Sequence, residues 1–359
     1  VSVNQYQQIS KIVENLYDIG TVTAIDEILG GYNSRSFGIQ THKDGCTRTY
    51  FLRKYKIGVS SGEIRFEHAL ISHAIKNDFT ICAGIVASAA GETFVQPAHS
   101  RSMFAIYEYL DGEDKYTWDN PALSDVEFKN AGRVLAIFHN AVHDFNPGGL
   151  QRTEPPILAL WPRLAQKFAA FAHQKKAEKW QAYYAAHLQS VLDLIARNPV
   201  DPITAEGLPV IPIHCDYHPG NLKWKDGQVV GIFDFDWSKM DLRLFDVAMA
   251  AIYFCSRWDG DRDGEFRCEK CELFMGAYQQ ALDRSAGLEP LTPVEQKLLP
   301  KMLDIANIYL IHWEVSAYMD EAGADADEYL TYLKHNIRLM NWLGVHRAAV
   351  AQTIAGALS

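Results

Sequence analysis

Four polar residues fall in a fixed order in the second half of the chain. His214, Asp216 and Asn221 lie in IHCDYHPGN at 213–221, and Asp234 lies in GIFDFDW at 231–237. The spacing is H-x-D-x(4)-N, then D. A carboxylate that takes a hydroxyl proton, with an amide and a second carboxylate to hold a divalent ion, is the set needed to move a phosphoryl group from ATP to an alcohol. Asp216 is the candidate base, since a carboxylate within hydrogen-bond reach of the hydroxyl suffices. Asn221 and Asp234 are the candidate Mg²⁺ ligands, because that ion takes hard oxygen donors and keeps several waters and phosphate oxygens. Taken singly, each residue has a plain structural reading: a turn-capping aspartate, a turn amide after Gly220 and a strand-end carboxylate. Their joint order, with β-type apolar residues before each half, favours the chemistry.

Neighbouring residues read as supports. His214 is expected to be a buried imidazole that fixes the loop. Asp246, in LFDVAMA, is expected to anchor the same loop from the start of a buried helix. Asp236 reads equally as a metal-side group, a substrate contact or an exposed loop acid. Cys268-Glu269-Lys270-Cys271 has metal-like spacing, but zinc needs about four ligands and no second pair exists. A helical face carrying two thiols is the better reading.

A nucleotide also needs cations and a hydrogen-bonding edge. Arg53 and Lys54 end a strand-like run in FLRKY. Alternation sends them to opposite faces, so only one can meet phosphates. Glu67, on the helix that follows, is placed by sequence order to pair with that cation. The Gly30-Gly31-Tyr32-Asn33-Ser34 turn could cover phosphates with backbone N–H groups, notably at Gly31 and Asn33. Such a turn is also routine in hairpins. Backbone groups at Tyr109 and Leu110 could meet adenine.

The elements that must position these residues follow from periodicity. Residues 5–17 read as an amphipathic helix, 21–29, 35–41 and 48–55 as strands, and 62–77 as a helix capped by Ser60 or Ser61. Strand-like runs near 92–96 and 103–110 complete a mostly antiparallel sheet. Helices follow at 124–143, 157–172 and 176–197, then a strand-loop-strand island at 209–236, then helices to the end. The expected architecture is α+β. A small β-rich N-terminal lobe over 1–110 binds nucleotide, and a larger, mainly helical lobe over 111–359 carries the catalytic loop and the acceptor.

Bulk properties fit that picture. The chain has 359 residues, 48% of them hydrophobic, and a mean hydropathy of −0.15. A net charge of −10 argues against a general nucleic-acid binder. The longest apolar run, 247–255, is too short to span a bilayer. Scattered cysteines without a secretory segment indicate reduced thiols in a cytoplasm.

GGYN, FLRKY, the Glu67 helix, IHCDYHPGN, IFDFDW and DVA occur in the order that resembles the aminoglycoside phosphotransferase and choline kinase superfamily, nearest to its homoserine-kinase-type members. The resemblance covers most of the chain and is most specific over 213–246. It implies a protein-kinase-like two-lobed fold, with ATP and Mg²⁺. It implies Asp216 as base, Asn221 and Asp234 on metal, Arg53 at the phosphate-binding position, and Tyr109 and Leu110 at the adenine hinge. Cys215 stands where protein kinases carry arginine, and the chain has no D-F-G or A-P-E. A phosphorylated activation loop is therefore not expected.

The resemblance implies a small, often amine-bearing hydroxyl acceptor. Tyr309, Trp313 and Glu314 lie at i, i+4 and i+5 on a late helix. Aromatic and acidic groups suit a cationic amine, although an aromatic pair at that spacing is more often core packing. Two other readings stand beside the small-molecule kinase: a Ser/Thr protein kinase using the same residues, and a nucleotide-binding regulator without catalysis.

Overall fold

The structure is a computed structural model that describes residues 3–28, 34–98, 100–283, 287–320 and 323–358. The chain divides into two compact units.

The first unit comprises Val1–Gly112, Phe145–Arg152 and Val230–Asp236. Helix α1 (Val3–Leu16) precedes three antiparallel strands, β1 (Thr21–Ile28), β2 (Ser34–Lys43) and β3 (Cys46–Tyr55). Asp44 and Gly45 both have positive φ, 51° and 79°, at the β2–β3 turn. That is the backbone a two-residue hairpin with right-handed strand twist requires. Helix α2 (Ser61–Lys76) starts at a Ser60/Glu63 capping box, which satisfies two otherwise orphaned N–H groups. Strands β4 (Ile85–Val86) and β5 (Phe104–Glu108) complete a five-stranded sheet of order β1-β2-β3-β5-β4. Its core joins Ile12 and Val13 of α1 to Phe37, Ile39, Leu52 and Ile106 of the sheet. On β2, Phe37 and Ile39 alternate with the less buried Gly38 and Gln40, while on β5 Ala105, Ile106 and Tyr107 are all buried.

Two sequence expectations change here. The run at 92–96 is not a strand but a single bridge between Val95 and Phe104, and the edge position goes to β4. The unit also takes in later chain, beyond its expected end at 110. Phe145 packs edge-on against Phe66 at 5.7 Å, and Ile232 N donates to Ile81 O at 2.7 Å.

The second unit comprises Glu113–Asp144, Thr153–Val229 and Trp237–Ser359. Helices α3 (Asp125–Val142), α4 (Ile157–Phe171), α5 (Glu178–Arg197) and α6 (Asp201–Ala205) lead to β6 (Val210–Ile213). After the catalytic-type loop come β7 (Leu222–Lys225), β8 (Gln228–Ile232) and β9 (Lys239–Leu242), with β9 antiparallel to β6. Helices α7 (Arg243–Cys255), α8 (Cys268–Asp283), α9 (Pro293–Asp320), α10 (Ala326–Val345) and α11 (Arg347–Leu358) finish the chain. Residues of α7 are buried at every position except Tyr253, the pattern of a helix enclosed on all sides. It is the element from which the loop between β6 and β7 is held. Among the described residues no helix is long and apolar enough to cross a membrane.

Gly132 sits inside α3 where alanine would ordinarily be better by about 1 kcal/mol. A Cβ there would come within 2.1 Å of the Phe274 backbone oxygen on α8. Backbone cannot step aside as a flexible side chain can. Gly132→Ala is therefore expected to destabilise the protein by about 1–3 kcal/mol, read as a lower midpoint in urea unfolding. A gain in stability would show that α3 and α8 do not approach so closely.

Candidate active site

In the second unit, the site begins with Asp246 in the first turn of α7. Its side chain is fully buried, and it accepts His214 N–H on Oδ2 at 2.9 Å and Cys215 N–H on Oδ1 at 2.7 Å. His139 Nε2, from α3, donates to Oδ2 at 2.9 Å. Burial pushes the Asp246 carboxyl upward, but the His139 hydrogen bond and charge, with His214, outweigh it and hold the group below its usual range. Hydrogen bonds to the ionised form do exactly what is needed to keep a buried carboxylate charged. The loop that results has Cys215 at φ 65°, a left-handed conformation uncommon outside glycine, asparagine and aspartate. Two backbone N–H groups gripped by one carboxylate stabilise that bend. The His214 ring is buried, edge-on to Phe138 and Tyr217.

Asp216 follows directly. Asn221 Nδ2 donates to its Oδ2 at 3.0 Å and to its backbone oxygen at 2.9 Å. The amide nitrogen of Asn221 is thus committed to Asp216, and its oxygen is the atom left for a metal. Asn221 closes a 3₁₀ turn, Pro219–Asn221, where His218 Nδ1 accepts Gly220 N–H at 3.1 Å. Tyr253 O–H, from α7, donates to Asp216 Oδ1 at 3.1 Å.

Beneath the loop is a buried polar group of residues. Tyr309 O–H donates to Glu154 Oε1 at 2.7 Å, and Lys239 Nζ reaches the same oxygen at 2.9 Å and Asp241 at 3.4 Å. The Cys215 thiol lies 3.9 Å from the Tyr309 oxygen. Tyr309 also packs edge-on against Phe245 at 5.3 Å. Its hydroxyl is engaged in this network, which is the packing side of the two readings of the Tyr309/Trp313 spacing. Trp313 is half-buried on α9. Glu314, 4% exposed, accepts from Asn336 Nδ2 of α10 through Oε1, while its Oε2 is buried with no hydrogen bond among the described residues. Burial raises the Glu314 carboxyl well above its ordinary range.

In the first unit, the two adjacent cations of FLRKY lie in different surroundings. Arg53 is 6% exposed and bridges two carboxylates: NH1 to Glu67 Oε1 at 3.4 Å and NH2 to Asp234 Oδ1 at 2.5 Å. Lys54 lies with Nζ 5.9 Å from the centre of the Phe104 ring. Burial would discharge the Arg53 guanidinium, but Asp234, Asp236 and Glu67 together raise its affinity for the proton. Glu67 is fixed from behind, where Tyr107 O–H donates to Oε1 at 2.8 Å and Tyr55 O–H to Oε2 at 3.3 Å. Asp234 follows β8 with φ 65°. Loss of surrounding water, then the Asp234 charge, pushes the Asp236 carboxyl well above its usual range, and Arg152 donates to its backbone oxygen. Tyr109 and Leu110 directly follow β5, with the Tyr109 side chain exposed. Gly31 and Asn33 lie outside the described residues.

Among the described residues no three His, Cys, Asp or Glu side chains are grouped to hold a metal by themselves. Three residues escaped the sequence reading: His139, Glu154 and Tyr253. Each acts across 37 or more positions, and no local pattern in the sequence marks them.

The chain matches the model of a phosphotransferase enzyme family over residues 24–288. It is 27% identical over 313 residues to a homoserine kinase of Methylocella silvestris, covering 83% of each chain. A microcompartment-associated aminopropanol kinase superposes with a TM-score of 0.68 at 15% identity, covering 96% of this chain and 98% of that one. The amicoumacin kinase hAmiN, solved in complex with AMP-PNP, Ca²⁺ and Ami, superposes with a TM-score of 0.63 at 16% identity, covering 94% of this chain and 93% of that one. These neighbours show the α+β fold to be kinase-like.

Asp246→Asn keeps the size of the side chain but removes its charge and offers one N–H where an acceptor is needed. It is expected to lower stability by about 3 kcal/mol. Because the folded carboxyl is held below its unfolded range, its contribution is present above the unfolded value near pH 4 and is lost as pH falls through the folded value. Calorimetry should show the gap between wild type and Asp246→Asn narrowing below about pH 4. A gap that stays constant to pH 2 would contradict the assignment.

Proposed function

Because the chain belongs to the phosphotransferase enzyme family, we propose that it transfers the γ-phosphoryl group of ATP to the hydroxyl of a small, amine-bearing acceptor of the homoserine or amino-alcohol type. It is a small-molecule kinase with an alcohol acceptor. The observation that carries the reading is the state of Asp216. Its carboxylate receives one donor on each oxygen, from Asn221 and Tyr253, and every carboxylate oxygen has a second lone pair for an incoming O–H.

In this reading Asp216 orients the acceptor hydroxyl and takes its proton late in the transfer, as a loose transition state requires. Asn221, through Oδ1, and Asp234 hold Mg²⁺. When bound, that ion neutralises charge on the β- and γ-phosphate oxygens. Arg53, set by Glu67, meets the phosphates. Its planar fork serves two carboxylates at once, which a lysine ammonium does less well. Backbone N–H groups at Gly31 and Asn33 would serve the phosphates, and backbone at Tyr109 and Leu110 would serve adenine. Nucleotide and divalent-metal use are supported by the AMP-PNP and Ca²⁺ of the amicoumacin kinase.

The amine class is supported from two sides. The relatives named above act on homoserine and aminopropanol, each of which carries an amine beside its hydroxyl. Within this chain, Glu314 is a buried acid with one oxygen without a hydrogen bond among the described residues, and a protonated amine beside it would supply the charge that lets it ionise.

Coupled ADP release should be assayed with L-homoserine, 1-aminopropan-2-ol, ethanolamine and choline. At least one acceptor is expected to stimulate turnover, and Asp216→Ala to reduce kcat by about 10²–10⁴-fold. Glu314→Gln should raise the KM for that acceptor about tenfold with little change for ATP. Full turnover by Asp216→Ala would overturn the assignment of the base.

A further inference from the structure

One face of α7 grips three consecutive residues of the loop. Asp246 binds the backbone N–H groups of His214 and Cys215, and Tyr253 binds the side chain of Asp216. Asp246 and Tyr253 are seven positions apart. Seven residues make almost two full helical turns, so both side chains leave the same face, about 10 Å apart along the axis. Long side chains on a helix lean toward its N-terminus, which directs the phenol back toward the end where Asp246 holds the loop. The helix therefore fixes the backbone before the base and the carboxylate of the base with a single rigid element.

We propose that Tyr253 is a positioning residue for phosphoryl transfer: its phenol O–H, donating to Asp216 Oδ1 at 3.1 Å opposite the Asn221 amide on Oδ2 at 3.0 Å, locks the base carboxylate in the orientation that receives the acceptor hydroxyl. This rests on Asp216 being the base.

The chemistry of the pair supports the role. With one donor per oxygen, rotation of the carboxylate about its Cβ–Cγ bond breaks two hydrogen bonds at once. Either donor alone leaves the group free to swing about the other. Burial, and then the Asp216 charge, push the Tyr253 phenol well above its ordinary range, so it remains an O–H donor. The ring itself is held at 5.2 Å from the His218 ring, in the same loop. His218 Nε2 stands 3.6 Å from Asp216 Oδ2, beyond a hydrogen bond, and cannot replace the phenol on Oδ1. Misplacing a base by a fraction of its hydrogen-bond length costs rate while leaving nucleotide binding intact.

The test is Tyr253→Phe, which keeps the ring and removes only the hydroxyl, with Asp216→Asn beside it. ADP release from MgATP is measured with L-homoserine and with 1-aminopropan-2-ol, and rates are expressed per MgATP-binding site. Tyr253→Phe is expected to lower kcat about tenfold or more, with KM for MgATP within about twofold. Asp216→Asn should abolish stimulation by either acceptor. If Tyr253→Phe retains kcat within about twofold, or if its loss appears as a raised KM for MgATP instead, the positioning role is overturned. If Asp216→Asn remains active, it is the base assignment that fails, whatever Tyr253→Phe does.

Discussion

A single buried carboxylate, Asp246, underlies the geometry of the catalytic loop. Leaving a backbone N–H unpaired in the interior costs about 1–3 kcal/mol, and the bend at Cys215 turns two such groups inward. Asp246 accepts both and is itself kept ionised by His139. Without it the loop would face unsatisfied donors and a left-handed residue with nothing to hold it. The apolar surroundings of α7 sharpen the effect, because a charge there has no water to fall back on. Strain of this kind persists only where its surroundings over-determine it, and it concentrates at functional sites.

The first unit uses the same device with the opposite charge. Arg53 is a buried cation whose two arms reach Glu67 and Asp234, and the phenols of Tyr55 and Tyr107 fix Glu67 from behind. A charge is made the centre of a small, directional network, and the network is mounted on regular elements: β3, α2 and β5 here, α3 and α7 in the second unit. Groups that must be placed to a fraction of an ångström are thus carried on short loops whose ends are rigid. The buried Lys239 and Tyr309, with half-buried Glu154, do comparable work beneath Cys215, holding the floor of the loop rather than its rim.

Much of this could be read from the residues alone. The order of His214, Asp216, Asn221 and Asp234 marks them as one set, and the structure joins Asp216 and Asn221 by hydrogen bonds in one loop. Asp246 as an anchor and Arg53 with Glu67 follow from sequence order and strand alternation. What stayed hidden depends on contacts between distant segments. Tyr253 lies in RLFDVAMAAIYFC, where an aromatic residue reads as one more core side chain. Glu154 belongs to a segment without periodicity, and β9 is four residues long with two charges, a pattern that does not announce a strand. The 92–96 run failed for the complementary reason. Its composition is strand-like, but only Val95 finds a partner, and a strand exists only where another pairs with it.

The central proposal is that Asp216 serves the acceptor while Asn221 and Asp234 serve as metal ligands. Anomalous diffraction from crystals grown with Mn²⁺ and ADP addresses it directly. An anomalous peak about 2 Å from both Asn221 Oδ1 and an Asp234 carboxylate oxygen, with Asp216 outside the coordination sphere, is the expected result. A metal peak bound through Asp216, or one that leaves either Asn221 or Asp234 without contact, would contradict the account.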